Sequence, residues 1–554
     1  MIKRRDFLHQ GAMGATALLL AQKIGWAAAA NSTAADSRIE VLFDEPLGTI
    51  SPTIYGHFTE NLGGVLYDGV WVGENSPVPN IDGLRKSLIE HMRQIKAPVI
   101  RYPGGCFADT YDWRDGIGPA DKRPRRTNFW ANSESKDAPP DHSFDPNQVG
   151  TNEFVHFCKL IGAEPYLAAN VRTLPASAFE QWVEYCNSPA GSTTLADARA
   201  AAGYPDAFGV KYWGVGNESW GCGGEFTPQE YAEQFRRYAT WLPAYGDTLH
   251  LIASGPNSDD WDWTRGFLAE ILLKGPGQLD SIYGLALHHY AWDMSRGKTT
   301  DWVAAKGDAL KFDSVDWYEL LRQGDRMEGL VTGHWQVMSE FDPEHRVKLV
   351  VDEWGPWYRP GSEATPGDLF EQTPTLRDAV FSGMTLDIFN RNPEKVAMAN
   401  CAQLINCLNS LYLAHEDKFI VTPVGHVFDL YASHQDGQSL RTIFSAPTLN
   451  YDRDGSPATF WGLRGSASVR DKSLTITVVN PSVSEPRLAE IALRGATVSD
   501  ASMRFLSDAD IHAHNTFAQP DAVVPQTKLL SVSGGTLAIE FPPASVAAVS
   551  IQLS

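Results

Sequence analysis

The stretch Lys211–Leu242, "KYWGVGNESWGCGGEFTPQEYAEQFRRYATWL", joins a short apolar run to an amphipathic helix, and its reading decides the fold. Lys211 to Asn217 is apolar and aromatic enough for a buried strand. In the second half Thr227 is an N-cap, Pro228 takes the first helical position, Glu230 closes a capping box, and Tyr231, Phe235, Tyr238 and Leu242 share one face. Between strand and helix stand Asn217 and Glu218, amid Trp213, Trp220 and several glycines. Burying a carboxylate without a partner costs several kcal/mol or raises its pKa. Glu218 is therefore either a paired structural group or a tuned acid.

The same unit recurs along the chain. Strands are expected at Thr53–Phe58, Pro98–Pro103, Glu164–Asn170, Lys211–Asn217, Leu249–Ser254, Ile282–His289, Val347–Glu353 and Lys395–Asn400, with amphipathic stretches such as "DGLRKSLIEHMRQIK" between them. Eight strand–helix units predict a parallel sheet closed into a (β/α)8 barrel. A doubly wound open sheet would carry GxGxxG after its first strand, and "GHFTENLGG" is not that pattern. Near Asp436 the rhythm changes to "SLTITVVN", "RLAEIAL", "GTLAIEF" and "SVAAVSIQL", which predict a C-terminal antiparallel β-sandwich, jelly-roll-like. The expected organisation is a leader over 1–30, a segment joining the sandwich over 31–52, the barrel over 53–436 and the sandwich over 437–554. A polar insertion at 128–145 lies in a strand–helix loop, where a substrate-side lid is expected.

The formal charge of −21 excludes nucleic acid and anionic membranes as natural partners. The first thirty residues have a charged opening, an apolar run and small residues at Ala27–Ala30, the layout of a secretory signal and too broken for a membrane span. Arg4 and Arg5, followed by Asp6, Phe7 and Leu8, resemble a twin-arginine export signal. The expectation is an exported protein, periplasmic or extracellular, without a membrane anchor. The six cysteines, Cys106, Cys158, Cys186, Cys222, Cys401 and Cys407, have neither metal spacing nor the density of a disulfide framework, so most are expected to be buried thiols. The 17 Trp, 18 Tyr and 25 Phe exceed an ordinary core and offer platforms for sugar rings.

In such a barrel the working groups sit at the carboxyl ends of the strands. Read there, the sequence offers Glu60 and Asn61, Arg101 with Gly104, Gly105 and Cys106, Asn170, Asn217 and Glu218, His288, His289 and Tyr290, Glu353 with Trp354 and Trp357, and Gln403. Two glutamates ending apolar strands meet a specific need. Glycoside cleavage uses one carboxyl group to protonate the leaving oxygen and another to attack, or to activate water, on the opposite face. The histidine pair lacks a third ligand at a recognisable spacing, so no metal is expected, and no cofactor.

Together "YGHFTENLGG", "IRYPGGCFADTYDWRDGIGP", "KYWGVGNESWGCGG", "IASGPN" and "VVDEWGPW" resemble the glycoside hydrolase family 51 α-L-arabinofuranosidases, from about Arg38 to the end. The resemblance implies a (β/α)8 barrel with a C-terminal sandwich and a retaining double displacement with Glu218 as acid/base and Glu353 as nucleophile. It implies a furanose pocket of Glu60, Arg101, Cys106, Asn217 and Gln403, with Tyr290 bonded to the nucleophile, His288 supporting it, and Trp130 or Trp357 facing the sugar or its leaving group. It also implies an arabinofuranosyl oligo- or polysaccharide as partner, and homo-oligomers. A related barrel glycosidase (β-xylosidase or endoglucanase) and a noncatalytic sugar-binding protein stay open as alternatives. The turn "NVRTLPASAFEQW" departs from the family's more Gly-rich pattern on the leaving-group side.

Overall fold

The computed structural model describes residues 35–133, 142–246, 248–294, 299, 301–531 and 537–554. The leader over 1–30 and the centre of the expected lid, 134–141, lie outside them. β1 (Ser37–Thr49) precedes eight parallel strands: β2 (Gly56–Phe58), β3 (Val99–Tyr102), β4 (Glu164–Ala169), β5 (Tyr212–Val215), β6 (His250–Ala253), β7 (Gly284–Ala291), β8 (Lys348–Pro356) and β9 (Val396–Ala402). β9 closes back onto β2 through Asn400 against Gly56 and Ala402 against Phe58, so the barrel has no exposed edge. Val99, Tyr166, Ile252, Ala286, Val350 and Met398 fill its interior as one packed layer. The space is so tight that a Cβ on Gly56 would clash with Asn400 Oδ1 and Val99 Cγ1.

The helix after β5 runs Pro228–Ala239 and starts as its sequence dictates: Thr227 accepts from the Glu230 amide and the Glu230 carboxylate returns to Thr227 N. Leu242, expected on its face, lies beyond its end. β8 carries one irregularity that matters for the site. Ala286 pairs with Val350 but His288 with Glu353, and on the other side Val351 pairs with Ala399 but Trp354 with Cys401. One extra residue on β8 is a bulge, which re-aims side chains that strict alternation would send to opposite faces. Asp352 and Glu353 therefore both reach into the barrel.

The C-terminal strands are β10 (Gln438–Ser445), β11 (Arg464–Arg470), β12 (Ser473–Asn480), β13 (Arg487–Arg494), β14 (Val498–Leu506), β15 (Gln526–Leu529), β16 (Leu537–Phe541) and β17 (Ser545–Leu553). With β1 they form one ladder in the order β15-β14-β17-β12-β11-β10-β1-β13-β16, antiparallel except where β1 runs parallel to β13. Ile39, Leu474, Ile476, Ile491, Met503 and Val549 meet in a core of its own, the interior of a sandwich. The helix Leu376–Arg391, buried along nearly its whole length, joins this domain to the barrel. Its Asp387 accepts from Ser466, Thr477 and Tyr431 at 2.7, 2.5 and 3.0 Å, and its Asn390 donates to Ser466 at 3.0 Å. Such buried polar groups are stable only when paired, which fixes how the domains meet.

Trp213, wholly buried in β5, lies edge-on to Phe179 and Trp182 with ring centroids 5.6 and 5.7 Å away, and its indole donates to Val210 O. Trp213→Ala is expected to destabilise the fold by about 3–5 kcal/mol, read as a fall in the urea midpoint.

Candidate active site

Arg101, on β3 and 1% exposed, organises the carboxyl end of the barrel. One guanidinium nitrogen donates to Glu353 Oε1 at 2.8 Å, another to Asn217 Oδ1 at 2.6 Å, and Nε lies 3.4 Å from Asp352 Oδ2. Phe58 lies beneath the cation at 4.7 Å. Burial alone would weaken its hold on the proton, but the charges of Asp352 and Glu353 outweigh that and raise its pKa further. Asp352 is satisfied in turn by Tyr166 OH at 2.7 Å and Asn400 Nδ2 at 2.8 Å.

Glu353 receives Arg101 on Oε1 and the Tyr290 hydroxyl on Oε2 at 2.7 Å. Burial pushes its pKa up, yet His288, Arg101 and the two donated hydrogen bonds hold it below the usual carboxylate range. The Tyr290 phenol, raised by burial and by the Glu353 charge, stays a donor. Gly105 explains how the loop after β3 comes so near: a Cβ there would lie 3.0 Å from Glu353 Oε1.

Glu218 stands opposite. His288 Nδ1 shares a hydrogen bond with its Oε1 at 3.0 Å and lies 3.6 Å from Glu353 Oε2. Ligand atoms of Glu218, His288 and Glu353 all fall within 4.8 Å of one another. Burial lowers the His288 pKa, but the two carboxylates beside it raise it by more. The Glu218 backbone has φ of +38°, a conformation that costs a non-glycine residue about 1–3 kcal/mol and persists only where neighbours impose it. Those neighbours are Gly221 N and Gly223 N on Glu218 O, and Ser254 Oγ on Ser219 N. Asp109 adds a further tie, accepting from the amides of Asn217, Val171 and Arg172 at 3.1, 2.8 and 3.3 Å.

Cys106 and Cys222 form a disulfide against Glu218 Oε2, with sulfurs 3.8 and 3.6 Å from that oxygen. A disulfide sulfur has no proton to donate, so it packs against the carboxyl group. Cys158, Cys186, Cys401 and Cys407 are the buried thiols. On the remaining wall Glu60 accepts from Phe107 N at 2.9 Å, Trp130 Nε1 at 3.2 Å and Gln403 Nε2 at 3.2 Å. Burial, with the Glu353 charge, raises its pKa to about 7 against the hydrogen bonds it accepts.

These groups open on a cavity of about 510 Å³. Of the residues singled out from sequence, Glu60, Gly105, Cys106, Trp130, Glu218, Trp220, His289, Tyr290, Glu353, Trp357 and Gln403 line it. Arg101, Asn217 and His288 stand one layer behind: Arg101 and His288 hold the lining carboxylates, and Asn217 holds Arg101. His289 lines the cavity with its ring nitrogens bonded to the Ser258 hydroxyl and the Gln323 carbonyl. Sequence reasoning misses Asp352, Asp109, the disulfide and the rim residues Trp292 and Trp302. Among the described residues, two groups approach metal-binding spacing. In one, the sulfurs of Cys106 and Cys222 are bonded to each other. In the other, the oxygens of Glu353 already hold donors from Arg101 and Tyr290.

Two family models match the chain, the α-L-arabinofuranosidase 1 domain over 91–303 and the α-L-arabinofuranosidase C-terminal domain over 352–545. An intracellular exo-α-L-arabinofuranosidase of Bacteroides ovatus is 34% identical over 93% of this chain and 95% of its own. An intracellular exo-α-(1→5)-L-arabinofuranosidase of Streptomyces lividans is 28% identical over 86% of this chain and 70% of its own. Among solved structures, the GH51 arabinofuranosidase of Xanthomonas axonopodis pv. citri superposes with a TM-score of 0.85 at 34% identity, covering 94% of this chain and all of that one. These relatives correct one expectation. Both curated enzymes are named as intracellular, which overturns the periplasmic or extracellular location read from residues 1–30.

Arg101→Met would leave Asp352 and Glu353 buried without their cation, and a stability loss of about 3–5 kcal/mol is expected near pH 7. The native Glu353 pKa is depressed, so its contribution is present above the unfolded value and lost as pH falls through the folded one. The deficit should therefore shrink as pH falls through the carboxylate range. Urea denaturation of both proteins across that range checks this.

Proposed function

The chain belongs to the glycoside hydrolase family 51 α-L-arabinofuranosidases, and from that premise we propose that it is a retaining exo-α-L-arabinofuranosidase working by double displacement. Its substrates are terminal non-reducing α-L-arabinofuranosyl residues of arabinoxylan, arabinan or their oligosaccharides. The observation that carries the reading is the approach of Glu218 and Glu353 within 4.8 Å in one cavity. Retaining glycosidases hold their carboxyl groups about 5–5.5 Å apart, whereas inverting ones leave room for a water. The Streptomyces lividans relative, named for (1→5) linkages, supports arabinan-type oligosaccharides.

In this reading Glu353 attacks the anomeric carbon. Arg101 and Tyr290 fix both of its oxygens and keep it ionised, so little reorganisation is needed as the bond forms. Glu218, turned by His288 on Oε1, presents Oε2 to the leaving oxygen and gives up its proton. Once Glu353 is esterified, Glu218 takes a proton from the incoming water. The furanose ring lies over Gly105 between Glu60, Gln403 and Trp130. Gln403 Oε1, buried and without a hydrogen-bond partner among the described residues, is an acceptor for a sugar hydroxyl.

Glu218→Ala is expected to lose most activity on oligosaccharides, to keep more on aryl glycosides whose leaving groups need no proton, and to be rescued by azide. Glu353→Ala should be nearly inactive on both. Equal losses without azide rescue would contradict the division of roles. A panel of aryl α-L-arabinofuranoside, aryl β-D-xyloside and β-glucan tests the substrate class, and turnover confined to the last two would reject it. Tyr290→Phe removes a donor that favours the ionised form, so the Glu353 pKa rises and the acid limb of kcat/KM moves to higher pH. A pH–rate profile measures the shift.

A further inference from the structure

Lys306 is an ionisable side chain that the chemistry above does not use. It is 4% exposed, and among the described residues it has neither a hydrogen bond nor a carboxylate. Its ammonium instead lies 3.4 Å from the ring centre of Trp302 and 3.6 Å from that of Trp357. The rings meet almost at right angles, with centroids 5.4 Å apart, and the ammonium fills their corner. Burial without an anion lowers its pKa to about 7, as expected of a charge held by aromatic faces alone.

The corner joins two elements of different origin. Trp302 opens and Lys306 ends the short helix Trp302–Ala305, in the connection after β7, which Asp301 caps through the amides of Val303 and Ala304. Trp357 follows β8 four residues after Glu353, and its amide donates to Ala291 O at 3.1 Å. It lies edge-on to Tyr290 at 5.2 Å, the residue that donates to Glu353. Both tryptophans line the catalytic cavity, and on their far side they bound a second cavity of about 480 Å³.

The depth of the site says what this corner meets. Glu60, Gln403 and Glu353 are 4%, 2% and 5% exposed at the cavity's inner end, whereas Trp302 is 49% exposed at its rim. In an exo-acting pocket the terminal sugar takes the inner end and the chain it leaves passes over the rim. We infer that Lys306 is a positioning residue for the leaving-group sugar, its ammonium latching Trp302 to Trp357 so that the two rings form one fixed wall against which that sugar rests. The inference rests on the proposed arabinofuranosidase reading. It assigns to Lys306 a role in binding the second sugar and none in the chemistry at the anomeric carbon.

The test compares two substrates, an arabino-oligosaccharide and α-L-arabinofuranosyl fluoride, whose leaving group is too small to reach the rim. Lys306→Met should raise KM for the oligosaccharide about tenfold, with kcat and the fluoride reaction within twofold of wild type. Lys306→Arg, which keeps a cation, should restore most of the loss. Trp302→Ala, a half-exposed position, should reproduce the selective loss even if Lys306→Met folds poorly. Equal loss on both substrates, no loss on the oligosaccharide, or no rescue by arginine would overturn the assignment. Failure of wild-type enzyme to hydrolyse the fluoride would instead sink the activity on which it rests.

Discussion

A guanidinium buried in the mouth of the barrel has no water to solvate it, so Arg101 is tolerable only if anions and acceptors converge on it. Asp352, Glu353 and Asn217 do so, from two strands distant in sequence, and the ends of β3, β5 and β8 are thereby drawn to one point. That need also accounts for the bulge in β8. Regular alternation would turn either Asp352 or Glu353 outward, where it could neither neutralise Arg101 nor reach the cavity. The same pairing that makes the cation stable leaves Glu353 ionised and aimed.

The opposite wall obeys a different constraint. Glu218 is less buried than Glu353, is gripped through one oxygen by His288, and sits on a backbone conformation its neighbours must impose. Hydrogen bonds from the Gly221 and Gly223 amides to Glu218 O and from Ser219 N to Ser254 Oγ, together with Asp109 under Asn217, supply that constraint. The disulfide packs against the other Glu218 oxygen, Oε2, without donating to it. Two glutamates of one chemical type thus receive unlike surroundings: one fixed at both oxygens by donors, the other with one oxygen left toward the cavity. Acid/base work and nucleophilic attack call for that asymmetry.

Strand ends are legible in the sequence because barrel strands are apolar runs that stop at polar residues, and Glu218 and Glu353 stand out where "WGVGN" and "KLVVD" stop. Single groups acting through long-range contact are not legible. Cys106 and Cys222 are separated by 116 residues, with no spacing rule to join them. Asp352 reads as an outward residue until the bulge turns it inward. Asp109 lies in a loop whose path no local pattern predicts. Lys306 follows Trp302 by four residues, but its second ring, Trp357, comes from the loop after β8. The helix after β5 is readable at both ends, its start from the capping box and its end at Ala239 from the Pro243 that follows shortly after.

The account stands on Glu353 attacking carbon while Glu218 moves protons. Its most direct test is to incubate the Glu218→Ala variant with 2,4-dinitrophenyl α-L-arabinofuranoside, quench, and map the peptides by mass spectrometry. An arabinosyl group on Glu353 is the predicted result, since the activated leaving group departs without an acid and the ester then lacks its base. An arabinosyl group on another residue, or release of inverted sugar with no covalent species at any time, would contradict it.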